Sequence, residues 1–113
     1  MSSKRGKEPS SSKEKNGKRV DPPRRVNSTA QFRKDWEDIK GAGRQDLSRA
    51  KAGMMLLVAD DAPMPPEYKD HPLKGPWSRY REFHAGGDLL VVYRVDGDLV
   101  DFVRIGTHTG LFD

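Results

Sequence analysis

The chain contains no cysteine. That excludes disulfides, thiolate metal sites and cysteine nucleophiles, and it fits a reducing compartment. Long apolar runs are missing too: none approaches the roughly 20 residues needed to span a bilayer, and no hydrophobic segment follows the basic N-terminus as in a signal peptide. A cytoplasmic protein without membrane contact is expected. Apolar residues make up only 34% of the 113, which is low for a single, fully packed small domain.

The shortage is local. Residues 1–28 carry nine Lys/Arg against three Asp/Glu, a net of +6, whereas residues 29–113 carry twelve against fourteen, a net of −2. The stretch "MSSKRGKEPSSSKEKNGKRVDPPRR" is rich in Ser, Lys, Gly and Pro, and it cannot bury enough surface to offset its ordering entropy. We read residues 1–25 as a disordered basic arm and residues 26–113 as one folded domain. The arm is a solvated tail, an attractor of RNA phosphate, or a leftover of an early start, with translation otherwise beginning at Val20 or Val26.

Two segments have helical period. In "STAQFRKDWEDIK", Ser28 with Gln31 three residues later has the capping-box pattern, Phe32, Trp36 and Ile39 recur on one face, and Gly41-Ala42-Gly43 ends the run. In "DLSRAKAGMMLLVADDA", Leu47, Ala50, Met54, Leu57 and Val58 form a stripe until "APMPP" forbids continuation. Met54 and Met55 read as core filler.

Beyond residue 78 the period changes. "RYREFH", "DLLVVYRV" and "LVDFVRIG" are β-branched and aromatic, with glycine-containing turns between them. Asp96-Gly97 is a hairpin signal; taken as the loop, it sets Val95 against Asp98 and Arg104 against Leu89, beside Asp88. The expected fold is α+β: two N-terminal helices packed on one face of a small antiparallel sheet, the other face free for a ligand.

The three histidines fall around that sheet. His71 precedes it, His84 ends its first strand and His108 follows its last. The pairing brings His84, Asp88, Arg104 and His108 to one end. Such a set suits metal-free RNA cleavage: a base takes the ribose 2′-hydroxyl proton, an acid protonates the departing 5′-oxygen, and a cation offsets charge on the phosphorane. Histidine titrates near neutral pH, Asp can orient it, and Arg binds phosphate oxygens through a fork. Each histidine taken singly also reads as a surface or structural residue, Asp88 as a cap of the turn after Gly86-Gly87, and Trp77 and Phe83 as packing residues. Arg104, in an otherwise apolar strand, needs a partner or an anion. Phe112 either docks the tail or contacts a nucleotide. A metal hydrolase using His71, His84, Asp88 and His108 is a rival that no H-x-x-x-H or H-x-H spacing supports.

The segments "YKDHPLKGPWSRYREFH", "DLLVVYRV" and "RIGTHTGLF" resemble the YafQ-type branch of the RelE superfamily of bacterial toxins. The DHPL-x-G-x-W segment, the R-x-x-H strand and the R-x-G-T-H-x-x-LF ending occur in that family's order, over roughly residues 26–113. The resemblance implies a RelE-like fold and a type II toxin–antitoxin ribonuclease, an mRNA interferase that cuts messenger RNA in the ribosomal A site and is neutralised by a cognate RelB- or DinJ-like antitoxin. It implies no cofactor, metal or small-molecule substrate. It also implies a site made of His71, His84, Asp88, Arg104, His108 and Phe112: His84 with Asp88 and His71 on the 2′-hydroxyl side, Arg104 on the scissile phosphate, His108 as general acid, and Phe112 against the nucleotide. The position after Asp88, often Trp in close relatives, is Leu89 here. The domain's net of −2 leaves RNA affinity to Lys74, Arg79, Arg81, Arg94 or the arm. An inactive relative that binds RNA, ribosome or antitoxin without cutting is the alternative.

Overall fold

A computed structural model describes residues 23–59 and 63–112. The segment expected to form the basic arm therefore lies almost wholly outside the described residues. Strand β1 (Arg25–Ser28) leads into helix α1 (Ala30–Ala42), and helix α2 (Ser48–Ala59) follows. Strands β2 (His71–Pro72), β3 (Arg81–His84), β4 (Leu89–Asp96) and β5 (Leu99–Thr107) come next, and a short helix α3 (His108–Phe112) closes the chain. The strands form one five-stranded sheet in the order β1-β5-β4-β3-β2.

The fold is α+β, as expected, but the sheet is mixed. β1 runs parallel to β5, held by backbone bonds such as Arg25 N to Asp98 O at 2.7 Å and by an exposed Arg25–Asp98 ion pair at 2.9 Å. Its sequence, RVNS, is too short and polar to announce a strand. The helix cap also moves by one residue: Thr29, rather than Ser28, accepts from Phe32 N at 2.9 Å. Gln31 does not reach back to the cap; it donates to Asp35 at 2.9 Å. At the other end Gly43 takes φ 68 and donates to the Ile39 carbonyl, so the glycine stop is where the pattern put it.

One core lies between the helices and the sheet. Phe32, Ala50, Leu57, Phe83, Leu89, Val91, Tyr93, Phe102 and Ile105 are buried together. Because side chains alternate along a strand, Glu82, His84, Leu90, Val92, Arg104 and Gly106 point to the opposite face. α3 folds onto that face through Leu111, whose Cδ2 would lie 3.0 Å from any Cβ placed at Gly106.

The hairpin register differs from the expected one. Asp96 pairs with Leu99, so Gly97 and Asp98 form the loop. Gly97 at φ 60 occupies the first loop position, where a type II′ turn requires glycine. A bulge after the Tyr93–Phe102 pair adds one more step, and Arg104 faces Val92 while Leu89 faces Thr107.

Candidate active site

Register alone sets out the site. His71 pairs with Glu82, Glu82 with Val92, and Val92 with Arg104, which makes one row across four strands on the face away from the helices. His84, Leu90 and Gly106 form the neighbouring row. His71 Nε2 lies 2.9 Å from Glu82 Oε2, and His84 Nε2 lies 3.8 Å from the same oxygen. Glu82 is buried, and its Oε1 has no hydrogen-bond partner among the described residues. A buried carboxylate with a free oxygen is costly unless something uses it.

His71 Nδ1 sits 3.0 Å from the Pro72 carbonyl oxygen, so both of its ring nitrogens face acceptors. A neutral imidazole can donate to only one of them.

α3 supplies part of the cleft lining. A cleft of about 290 Å³ is lined by His71, Leu73, Lys74, Trp77, Glu82, His108 and Phe112. The Phe112 ring packs edge-on against Trp77 at 5.6 Å and lies 5.4 Å from the His108 ring. Phe112 thus docks the tail, and His108 lines the same cleft as His71.

The segment that carries His71 is anchored from below. Tyr93 Oη donates to Asp70 Oδ1 at 2.6 Å, and Arg81 reaches both Asp70 and Tyr93 at 3.3–3.4 Å. Burial, reinforced by the bond to Asp70 and opposed by Arg81, pushes the Tyr93 hydroxyl well above its ordinary value.

The other expected residues stand apart. Arg104 belongs to the site row, but its Nε and Nη2 bind Asp35 of α1 at 2.8 and 3.2 Å, away from the cleft lining. Asp88 is exposed in the β3–β4 turn. Leu89 is 1% exposed in the helix-side core, so no side chain at that position reaches the cleft. Of the basic residues, Lys74 lines the cleft, Arg79 is exposed, Arg81 is tied to Asp70, and Arg94 lies 3.9 Å from Asp101. Glu82 was missed by sequence reasoning. Its signal was the E-F-H spacing, which puts Glu82 and His84 on one face of a strand.

His71, Glu82 and His84 each offer one ligand atom, all within 4.8 Å of one another. Two imidazoles and a carboxylate fit a borderline-soft divalent ion. This set differs from the one named in the metal rival above, since Glu82 replaces Asp88 and His108.

Residues 24–113 match the family described as bacterial toxin of type II toxin–antitoxin system, YafQ. The chain belongs to this family of toxins. It is 40% identical over 78 residues to the mRNA interferase toxin YafQ of Escherichia coli K12, covering 67% of this chain and 85% of that relative. Among solved structures, YafQ in the E. coli DinJ–YafQ complex superimposes with a TM-score of 0.73 at 36% identity, over 80% of this chain and 99% of the other. A metal-bound toxin from Helicobacter pylori gives 0.68 at 35% identity, over 79% and 99%. Family membership makes the chain a type II toxin with an antitoxin as its counterpart. Among the described residues no helix is long and apolar enough to cross a membrane.

Proposed function

We propose that this mRNA interferase toxin cuts messenger RNA on the ribosome, by acid–base chemistry that needs no metal, and that its antitoxin restrains it. The observation that carries the reading is that His71 and His108 line one cleft, with buried Glu82 against the first. In-line cleavage needs a proton acceptor beside the 2′-hydroxyl and a donor beside the 5′-oxygen, on opposite sides of the phosphorus. The His71–Glu82–His84 group takes the 2′-hydroxyl proton as that oxygen attacks phosphorus. His108 gives a proton to the 5′-oxygen as its bond to phosphorus breaks, leaving a 2′,3′-cyclic phosphate and a 5′-hydroxyl. Lys74 at the rim offsets phosphorane charge, and Arg104 presents its outer Nη edge, the one Asp35 leaves unused. Asp88 and Phe112 complete the expected set.

The test is 5′-end mapping of messages after brief induction without antitoxin, alongside His108→Ala. New ends at a fixed position within translated codons, absent from the variant, are expected. An unchanged map despite folded protein points to a relative that binds without cutting.

A second reading concerns metal. The His71–Glu82–His84 group, with its unpartnered Glu82 oxygen, is suited to hold a divalent transition ion, and a related toxin is described as metal-bound. A bound ion would serve as a Lewis acid there and would remove both imidazoles from proton transfer, so added zinc or copper should slow cleavage. Calorimetry comparing wild type with Glu82→Gln tests binding independently of activity.

A further inference from the structure

His84 borders a second cleft that the reaction above does not use. It measures about 240 Å³ and is lined by Arg49, Glu67, Lys69, His84, Gly86 and Gly87. Arg49, near the start of α2, lays its stem over Gly86, with its Cδ 3.5 Å from where a Cβ would stand. Its guanidinium carbon sits 4.7 Å above the ring of Tyr68, and that ring is itself fixed edge-on against buried Phe83 at 5.7 Å. Stacking on an aromatic face fixes the guanidinium plane while leaving its N–H edge open.

The backbone of Lys69 is fixed while its side chain is exposed at the same cleft. It caps the short 3₁₀ turn Pro66–Tyr68 at φ 50, donating its N–H to the Pro66 carbonyl at 3.0 Å. Among the described residues it is the one non-glycine with positive φ. A left-handed lysine costs on the order of 1 kcal/mol that glycine or asparagine would avoid. Neither Arg49 nor Lys69 forms an ion pair among the described residues, although Glu67 lines the same cleft. Arg49, fixed over Tyr68, and exposed Lys69, neither in an ion pair among the described residues, stand beside a histidine of the reaction site and offer a seat for an anion.

Resting on the ribonuclease reading, we infer that Arg49 and Lys69 bind a backbone phosphate of the message next to the scissile one, so that the strand crosses the sheet edge at His84. The shared chemistry of message and ribosomal RNA is the phosphodiester, and the cleft's continuity with His84 favours the message.

The test uses the full chain and a short single-stranded RNA carrying a 2′-deoxynucleotide at the cut, so that binding is read without cleavage. Each phosphate-binding cation contributes about 0.7 to the slope of log affinity against log salt for single strands. The Arg49→Gln/Lys69→Asn double variant should lower that slope by about 1.4 for every RNA sequence tried. Asparagine tolerates positive φ, so the second change removes charge without disturbing the turn. On ribosomes carrying cleavable message, the double variant should raise KM and leave kcat unchanged. His108→Ala should retain the wild-type slope. An unchanged slope, or no binding by wild type up to millimolar RNA, overturns the proposal; so does a slope change seen only on ribosomes without message, which assigns the cations to ribosomal RNA. A wild type that binds with the steep slope but cuts nothing would instead sink the ribonuclease reading.

Discussion

Asp35 of α1 holds Arg104 of β5. Its Oδ2 accepts from Arg104 Nε at 2.8 Å and Ile105 N at 3.2 Å, while its Oδ1 accepts from Arg104 Nη2 at 3.2 Å and Gln31 at 2.9 Å. β1 ends at Ser28, so beyond it β5 has an open edge, and the carboxylate serves there as the missing strand's acceptor. Burial opposes ionisation of Asp35, but the bonds from Arg104, Gln31 and Ile105 outweigh it and hold the carboxyl below its ordinary value.

A depressed carboxyl stabilises the fold above its unfolded value, near 3.9, and that contribution is lost as pH falls through the lower folded value. Asp35→Asn should therefore cost about 2–3 kcal/mol at pH 7. It should also lose less stability than wild type between about pH 5 and 3. Urea unfolding at both ends of that range checks the sign.

Gly53 of α2 faces buried Phe83, whose ring carbons would stand 2.5 and 2.7 Å from a Cβ. Phe83 is fully buried, so Gly53→Ala should destabilise by about 1–3 kcal/mol despite its better helix propensity. A midpoint in denaturant equal to or above that of wild type would contradict this packing.

Gly106 presents the smaller conflict, 3.0 Å to Leu111 at the chain end. Gly106→Val should lift α3 and carry His108 and Phe112 away from His71. Cleavage is expected to fall by more than about 100-fold, in the range of a lost acid, while the melting temperature changes little. Near-normal cleavage would mean that α3 is not what delivers His108.

Tyr93→Phe removes the 2.6 Å bond to Asp70 and leaves that part-buried carboxylate only the longer 3.4 Å contacts from Arg81. A loss of about 1–3 kcal/mol is expected at neutral pH. The raised folded value of Tyr93 gives stability that is full below about 10 and declines as pH rises above it. The variant should lack that alkaline decline, which thermal melts from pH 8 to 11 would reveal.

Local signals were readable where a few neighbouring residues settle the matter. The Gly41-Ala42-Gly43 stop, the "APMPP" break and the β-branched and aromatic strands all act over three to eight positions. β1 and β2 were not readable, because four and two residues carry no usable period and their pairing is made by backbone. The hairpin was found but its register was not: one glycine can serve two turn types, and the bulge at Val103 adds a further step. Register then decided which partner Arg104 met, Val92 across the sheet and Asp35 at its edge.

By itself the sequence determined the fold class, the order of helices and strands, the family resemblance and the residue types able to move a proton. Those depend on short-range periodicity and on side-chain identity. Only the tertiary structure decided that Glu82 stands between His71 and His84, that Phe112 docks on Trp77 with His108 in the same cleft, and that Asp35 takes up one edge of Arg104. Those relations join residues far apart in the chain, and a one-residue change of register or the docking of a five-residue helix is enough to make or break them.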